Sequence, residues 1–239
     1  MQITAIIPAR YSSTRFPGKP LVNIAGISMI ERVYNRVKIV KAINKVIVAT
    51  DDKRIYQKVK DFGGHVKMTS PNHCSGTDRI AEVATQLDSD IIVNVQGDEP
   101  LIKKEMITEA IAPFTADKSL KMATLKKKIE DEKEINNPDI VKVVTDINNN
   151  ALYFSRFPIP YIRDNKTEVY KHIGLYVYRR DFLLKLCKKQ LTMLEKAEAL
   201  EQLRVLENGY QIRVVETDYD SIGVDTPEDI KKVEAILER

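Results

Sequence analysis

Ile3-Thr4-Ala5-Ile6-Ile7-Pro8-Ala9-Arg10-Tyr11-Ser12-Ser13-Thr14-Arg15-Phe16-Pro17-Gly18-Lys19-Pro20 opens the chain and decides how the rest is read. Ile3 to Ile7 is an apolar run of strand length, closed by Pro8. The cations Arg10, Arg15 and Lys19 follow, with hydroxyls, Pro17 and Gly18 between them. The segment therefore reads as a loop at a strand's carboxyl end, where open α/β sheets bind ligands. Guanidiniums, an ammonium and loop N–H groups suit the phosphates of a nucleoside triphosphate. A solvated basic loop is the plain alternative. Position favours a ligand, because these cations open the first strand–loop–helix unit.

Outward from this stretch the first half keeps a βα rhythm. Lys45–Ala49, His65–Met68 and Ile91–Val95 read as further buried strands, and Met29–Lys38, Asp52–Phe62 and Asp78–Leu87 as helices. Asp51 or Asp52 can cap the second helix, and Gly63-Gly64 can end it. Parallel strands need such crossovers. The expected fold is α/β, a central, mostly parallel sheet flanked by helices. Beyond about residue 115, Met122–Leu125, Val141–Thr145, Leu152–Ser155 and Ile173–Tyr178 read as strands, with a hairpin turn at Asn148-Asn149-Asn150. A helix over Leu194–Glu207, a strand over Gln211–Glu216 and a helix begun by Thr226-Pro227-Glu228-Asp229 complete the chain. Two prolines keep Arg156–Asp164 out of any central strand. Residues of about 156–171 are expected to form a small protruding arm that packs on another subunit, or an ordinary surface loop, on an otherwise single domain of residues 1–239.

Composition narrows the function. A hydrophobic fraction of 43% and a charged fraction of 30% describe an ordinary globular protein. No run approaches the ~18 apolar residues of a membrane span, and no signal-peptide pattern is present. Cys74 and Cys187 have no metal-ligand spacing and read as reduced thiols, so a cytoplasmic location is expected. The net charge of +4 is spread among acids, and there is no Trp, which argues against a nucleic-acid partner. Neither G-x-G-x-x-G nor a P-loop motif occurs.

Four further segments carry candidate chemistry. In Asn94-Val95-Gln96-Gly97-Asp98-Glu99-Pro100 an apolar strand ends in acids, where Mg²⁺ can be held beside phosphate; Asp98 capping a helix near Lys103 is the alternative. Gly223-Val224-Asp225 sets another carboxylate before a well-capped helix, whose N-terminus it can equally complement. Ser75-Gly76-Thr77-Asp78 opens a helix, as a ligand site or as a plain N-cap. On the strand around Ile173, His172 and Tyr176 share a face, with Arg156 following an earlier strand. Such groups suit a hydroxylated, carboxylate-bearing ligand, or form a half-buried polar sheet face.

Taken together and in this order, Pro8-Ala9-Arg10 to Pro17-Gly18-Lys19-Pro20, Ser75-Gly76-Thr77-Asp78-Arg79, Asn94 to Pro100, Ala151-Leu152-Tyr153-Phe154-Ser155-Arg156, His172-Ile173-Gly174, Leu200-Glu201-Gln202-Leu203-Arg204 and Val224 to Asp229 closely resemble the 3-deoxy-manno-octulosonate (KDO) cytidylyltransferase family, the CMP-KDO synthetases. The match spans residues 2 to about 235. The resemblance implies a Rossmann-like, GT-A type fold, a homodimer, and the reaction of CTP with KDO to CMP-KDO and pyrophosphate for lipopolysaccharide. By the same likeness Arg10, Arg15 and Lys19 neutralise the triphosphate, and Asp98 and Asp225 hold Mg²⁺. Pro8, Ala9, Arg10, Ser13, Lys19, Ser75 and Gly76 frame the nucleotide. Gln96, Arg156, His172, Tyr176, Glu201 and Gln202 line the sugar site. Ser70 departs from an Arg common in the family. Phe16-Pro17 and Asp78 resemble a subset, some of which act on 8-amino-KDO. Another acidic sugar, or a CTP-binding module without catalysis, are the remaining alternatives.

Overall fold

The computed structural model describes residues 1–12, 16–163 and 167–238. Its elements begin with β1 (Ile3–Ala9), a 3-10 turn (Lys19–Leu21), β2 (Asn23–Ile24), β3 (Ile27–Ser28), α1 (Met29–Lys38), β4 (Lys45–Thr50), α2 (Lys53–Asp61) and β5 (Val66–Met68). Next come α3 (Gly76–Ala84), β6 (Ile91–Asn94), α4 (Lys104–Ile111), α5 (Pro113–Ala116), β7 (Met122–Lys128), α6 (Glu132–Ile135), β8 (Lys142–Thr145) and β9 (Ala151–Ser155). The last are β10 (Tyr170–Arg179), α7 (Arg180–Leu186), α8 (Met193–Glu198), α9 (Gln202–Glu207), β11 (Arg213–Glu216) and α10 (Pro227–Leu237). Two compact units divide the chain: Met1–Thr108 with the segment from Ser221 onward, and Glu109–Asp220.

In the first unit the strands run in the order β6-β1-β4-β5, all parallel, with Ile6 of β1 opposite Ile47 of β4 and Asn94 of β6. Strands covered on both faces read as continuous apolar runs, which is why Ile3–Ile7 and Ile91–Val93 are legible as strands. Helix α1 buries Met29, Ile30, Val33, Tyr34 and Val37 along one face. Asp52 caps α2 by accepting the Arg54 N–H at 2.8 Å, and Gly63 leaves the helix with φ 75°. Helix α3 begins at Gly76, two residues before the expected Asp78, because Ser75 Oγ accepts the Asp78 N–H at 3.1 Å. The C-terminal segment belongs here too: Val224 and Val233 pack with Ile24, Met29 and Leu101. A capping box between Thr226 and Asp229 starts α10, as its sequence implies.

The second unit carries a mixed sheet in the order β11-β7-β10-β8-β9, parallel only between β11 and β7. Asn149, at φ 58°, turns the chain between β8 and β9. The expected helix over Leu194–Glu207 is instead two, α8 and α9, broken where Ala199 adopts φ 52°. The break has a cause. Buried Glu195 receives Arg204 through two hydrogen bonds, at 2.8 and 2.5 Å. In an unbroken helix residues nine apart are separated by about 13 Å along the axis. Losing one partner of such a buried pair costs about 3–5 kcal/mol, more than one left-handed alanine. Within the expected arm, Phe157 and Tyr161 are 76% and 89% exposed, residues 164–166 lie outside the described residues, and Tyr170 already belongs to β10.

Candidate active site

The candidate site of the first unit begins at the end of β1. Arg10 is exposed at the strand's end. Gly18, in the left-handed region at φ 74°, leads into the 3-10 turn that begins with Lys19. Pro8 lies between two glycines: a Cβ at Gly76 would stand 3.4 Å from its ring, and one at Gly97 only 2.8 Å from its carbonyl oxygen. Any side chain at Gly97 would force β1 and the segment after β6 apart, so the close approach requires glycine. Pro8, Ala9 and the Ser75-Gly76 turn are thereby neighbours of one strand end. Ser75 acts as the N-cap of α3 and also donates to Asp78 at 2.9 Å. Ser13 and Arg15 lie outside the described residues.

Asp98 and Asp225 meet at one ammonium. Lys19 Nζ donates to Asp98 Oδ2 at 2.6 Å and to Asp225 Oδ1 at 3.1 Å. A single backbone bond brings the segments together, the Val224 N–H donating to the Asp98 carbonyl at 2.9 Å. The Asp229 carboxylate then anchors the other side, accepting the N–H groups of Asp225 and Thr226 at 3.1 and 3.0 Å. Its own pKa falls to about 2, chiefly through its bond to Lys232. The Lys19 side chain is largely buried, whereas those of Asp98 and Asp225 stay partly exposed. Two carboxylates are the donor set Mg²⁺ accepts when phosphate and water complete its shell. Among the described residues no group of three His, Cys, Asp or Glu is arranged for a metal. The fit is therefore to an ion shared with phosphate rather than to an all-protein cage.

Glu99 is a feature the sequence reading passed over. Burial first, then the charge of Asp98, pushes its pKa up to about 7, with the Ser221 hydroxyl partly opposing them. The neighbouring acids thus carry less combined charge than two free carboxylates. The signal was present as paired acids before Pro100, but only burial separates their chemistry. Gln96, in the same segment, donates from Nε2 to Asn94 Oδ1 at 3.1 Å. Ser70 uses its backbone: its N–H donates to Glu82 at 2.9 Å, a carboxylate that also receives His73.

In the second unit His172, Tyr176 and Gln202 line up. The His172 and Tyr176 rings are 5.4 Å apart, and the Tyr176 hydroxyl donates to Gln202 Oε1 at 3.3 Å. Four residues of regular strand would span about 13 Å. The pairing of β10 with β7 slips between Ile173 and Tyr176, and this bulge draws the two rings together. Thr124 Oγ1 lies 2.9 Å from His172 Nε2, and Phe154 meets the ring edge-on at 5.0 Å. Desolvation pushes the His172 pKa down to about 3, so the imidazole is neutral near pH 7. Gln202 Nε2 is buried without a hydrogen-bond partner among the described residues. Glu201, at the start of α9, is partly exposed. Arg156 is held by Glu198 and Pro138, its Nε donating to the Glu198 carbonyl at 2.8 Å and its Nη1 to the Pro138 carbonyl at 3.0 Å.

Comparison with known proteins gives the chain a family. The cytidylyltransferase family model matches residues 4–216. A 3-deoxy-manno-octulosonate cytidylyltransferase of Geobacter metallireducens is 57% identical, over 100% of this chain and 99% of its own. One from Geotalea uraniireducens is 58% identical over 98% of both chains. A solved structure of CMP:2-keto-3-deoxy-manno-octonic acid synthetase complexed with CTP superposes with a TM-score of 0.96 at 44% identity, covering 100% of this chain and 99% of the other. That full-length superposition bears out the expected α/β fold with its mostly parallel sheet flanked by helices. The chain belongs to the 3-deoxy-manno-octulosonate cytidylyltransferase family.

Proposed function

We propose that this protein transfers the cytidylyl group of CTP to 3-deoxy-manno-octulosonate, giving CMP-KDO and pyrophosphate for lipopolysaccharide synthesis. The observation that carries the reading is the Lys19 ammonium bridging Asp98 and Asp225 beside the end of β1. Full-length likeness to a synthetase complexed with CTP supports the choice of nucleotide. In the reaction the sugar's anomeric oxygen bonds to the α-phosphorus in line, the bond to the leaving pyrophosphate breaks, and the hydroxyl proton is released. Such transfers depend mainly on positioning and charge neutralisation.

Lys19 and Arg10 neutralise the phosphates, and a cation at ~4 Å in an effective dielectric of ~20 attracts a unit charge by about 4 kcal/mol before desolvation. The Pro8–Arg10 backbone and the Ser75-Gly76 turn frame the cytidine. Asp98 and Asp225 would hold Mg²⁺, which would supply further charge neutralisation to the phosphates. With the two acids so engaged, Lys19 would be free to pair with the phosphates. Neutral His172, Tyr176 and the Gln202 Nε2 amide group offer hydrogen bonds to a hydroxylated sugar, with Gln96, Arg156 and Glu201 in the same role. A homodimer joined through the 156–171 arm and a cytoplasmic location complete the proposal; among the described residues no helix is long and apolar enough to cross a membrane.

The test is incubation with CTP, Mg²⁺ and, separately, KDO, 8-amino-KDO and a sialic acid, reading pyrophosphate and the mass of the CMP-linked product. Turnover is expected with KDO and is expected to stop with EDTA. Turnover with only 8-amino-KDO reassigns the acceptor. CTP binding with no acceptor-dependent turnover would overturn the enzymatic reading, and EDTA-insensitive turnover would remove the metal role.

A further inference from the structure

We infer that Asp52, Arg54 and Tyr11 form a strut that positions the Lys19 turn for the triphosphate, acting through the turn and not on the phosphates. The inference rests on the nucleotide reading of that turn. The Arg54 guanidinium lies over the Tyr11 ring, 3.2 Å from its centroid. One carboxylate fixes that guanidinium: Arg54 Nε and Nη2 donate to the two Asp52 oxygens at 3.0 and 2.7 Å. Asp52 also accepts the Arg54 backbone N–H at 2.8 Å, so both ends of Arg54 are tied to the same N-cap.

Tyr11 passes the constraint to the turn in two ways. Its carbonyl accepts the Gly18 N–H at 2.9 Å. Its ring lies against Gly18 so closely that a Cβ there would be 3.1 Å from ring carbons. Gly18 in turn accepts the Leu21 N–H at 2.8 Å and precedes Lys19, the residue that bridges Asp98 and Asp225. Helix α2 also touches the 3-10 turn directly. Contact therefore runs without a gap from the start of α2 to the Lys19 ammonium.

The charge arrangement at Arg54 suits a positioning role. Its fork is already matched by a bidentate carboxylate. A matched pair stacked on an aromatic ring holds the ring in place while presenting little net charge to an entering polyanion. A lysine would lose both the fork and the flat stacking surface.

Calorimetric titration of CTP and of CMP into the wild type, Tyr11→Leu, Tyr11→Phe, Arg54→Gln and Asp52→Asn, each with a thermal melt, tests the inference. Tyr11→Leu and Arg54→Gln are expected to weaken CTP by about three- to ten-fold, the range of a stacked cation, while CMP binds as before. Tyr11→Phe is expected to restore CTP affinity because it keeps the ring face. Asp52→Asn retains a helix cap but loses the charge match, and falls between. Equal losses for CTP and CMP would mean a general structural role and overturn the strut. CTP affinity unchanged in every variant overturns it as well. Failure of the wild type to bind CTP overturns the nucleotide reading, and the strut with it; a binding wild type with unaltered variants sinks the strut alone.

Discussion

Lys19 holds together two acids that otherwise repel. Replacing it leaves Asp98 and Asp225 facing each other and, on the proposed reading, takes a cation from the phosphates, so Lys19→Ala is expected to lower turnover by about 10²-fold or more, the loss typical of one transition-state donor. Steady-state rates with CTP and sugar check this, and near-normal turnover would contradict it. His172 gives a second test, in stability. Its folded pKa of about 3 lies below the ordinary value of 6.5, so between those values the unfolded chain binds more protons than the folded one. Stability therefore rises with pH through that window; the contribution is fully present above 6.5 and is lost as pH falls toward 3. The loss is up to about 1.4 kcal/mol per pH unit, less in practice because the residue is only partly buried. Urea unfolding between pH 4 and 7 is expected to show this slope in the wild type and a shallower one in His172→Gln; identical slopes would refute the assignment.

Elements obey their local signals until a tertiary contact outweighs them. Capping explains where α2, α3 and α10 begin, through Asp52, Ser75 and Thr226. The stretch from Met193 to Glu207 has no glycine or proline and reads as one helix. Yet the Glu195–Arg204 pair demands a break, and Ala199 absorbs it in a conformation that glycine adopts more readily. Ala199→Gly is accordingly expected to raise stability by up to about 1 kcal/mol, relief of left-handed strain being partly offset by unfolded-state entropy. The midpoint of urea denaturation measures it, and a decrease would show that Ala199 is not strained. The β10 bulge belongs to the same scale. Gly174 within the strand is its sequence signal, but that two extra residues stand against β7 is visible only in the pairing.

For the whole molecule, association is the open property with a clear test. Phe157 and Tyr161, 76% and 89% exposed, are apolar surface of the kind that anchors interfaces. Sedimentation equilibrium is expected to give twice the chain mass, and Phe157→Ser with Tyr161→Ser to weaken association by at least about ten-fold. A monomeric wild type would exclude the dimer. As for legibility, short-range physics was readable in the sequence: apolar runs buried on both faces, caps, turn residues, and the strand ends where cations and acids gather. Burial was not, so Glu99 and His172, ordinary in sequence, acquire pKa values of about 7 and 3 only when packing removes water from them. Nor was long-range pairing, since hydrophobic periodicity says which face is buried but not which distant segment covers it. The sequence by itself determined the α/β fold and the segments with chemical potential. Tertiary structure alone decided that Lys19 would meet Asp225, 206 residues away, because one backbone bond from Val224 to Asp98 and the packing of α10 bring those chain ends together.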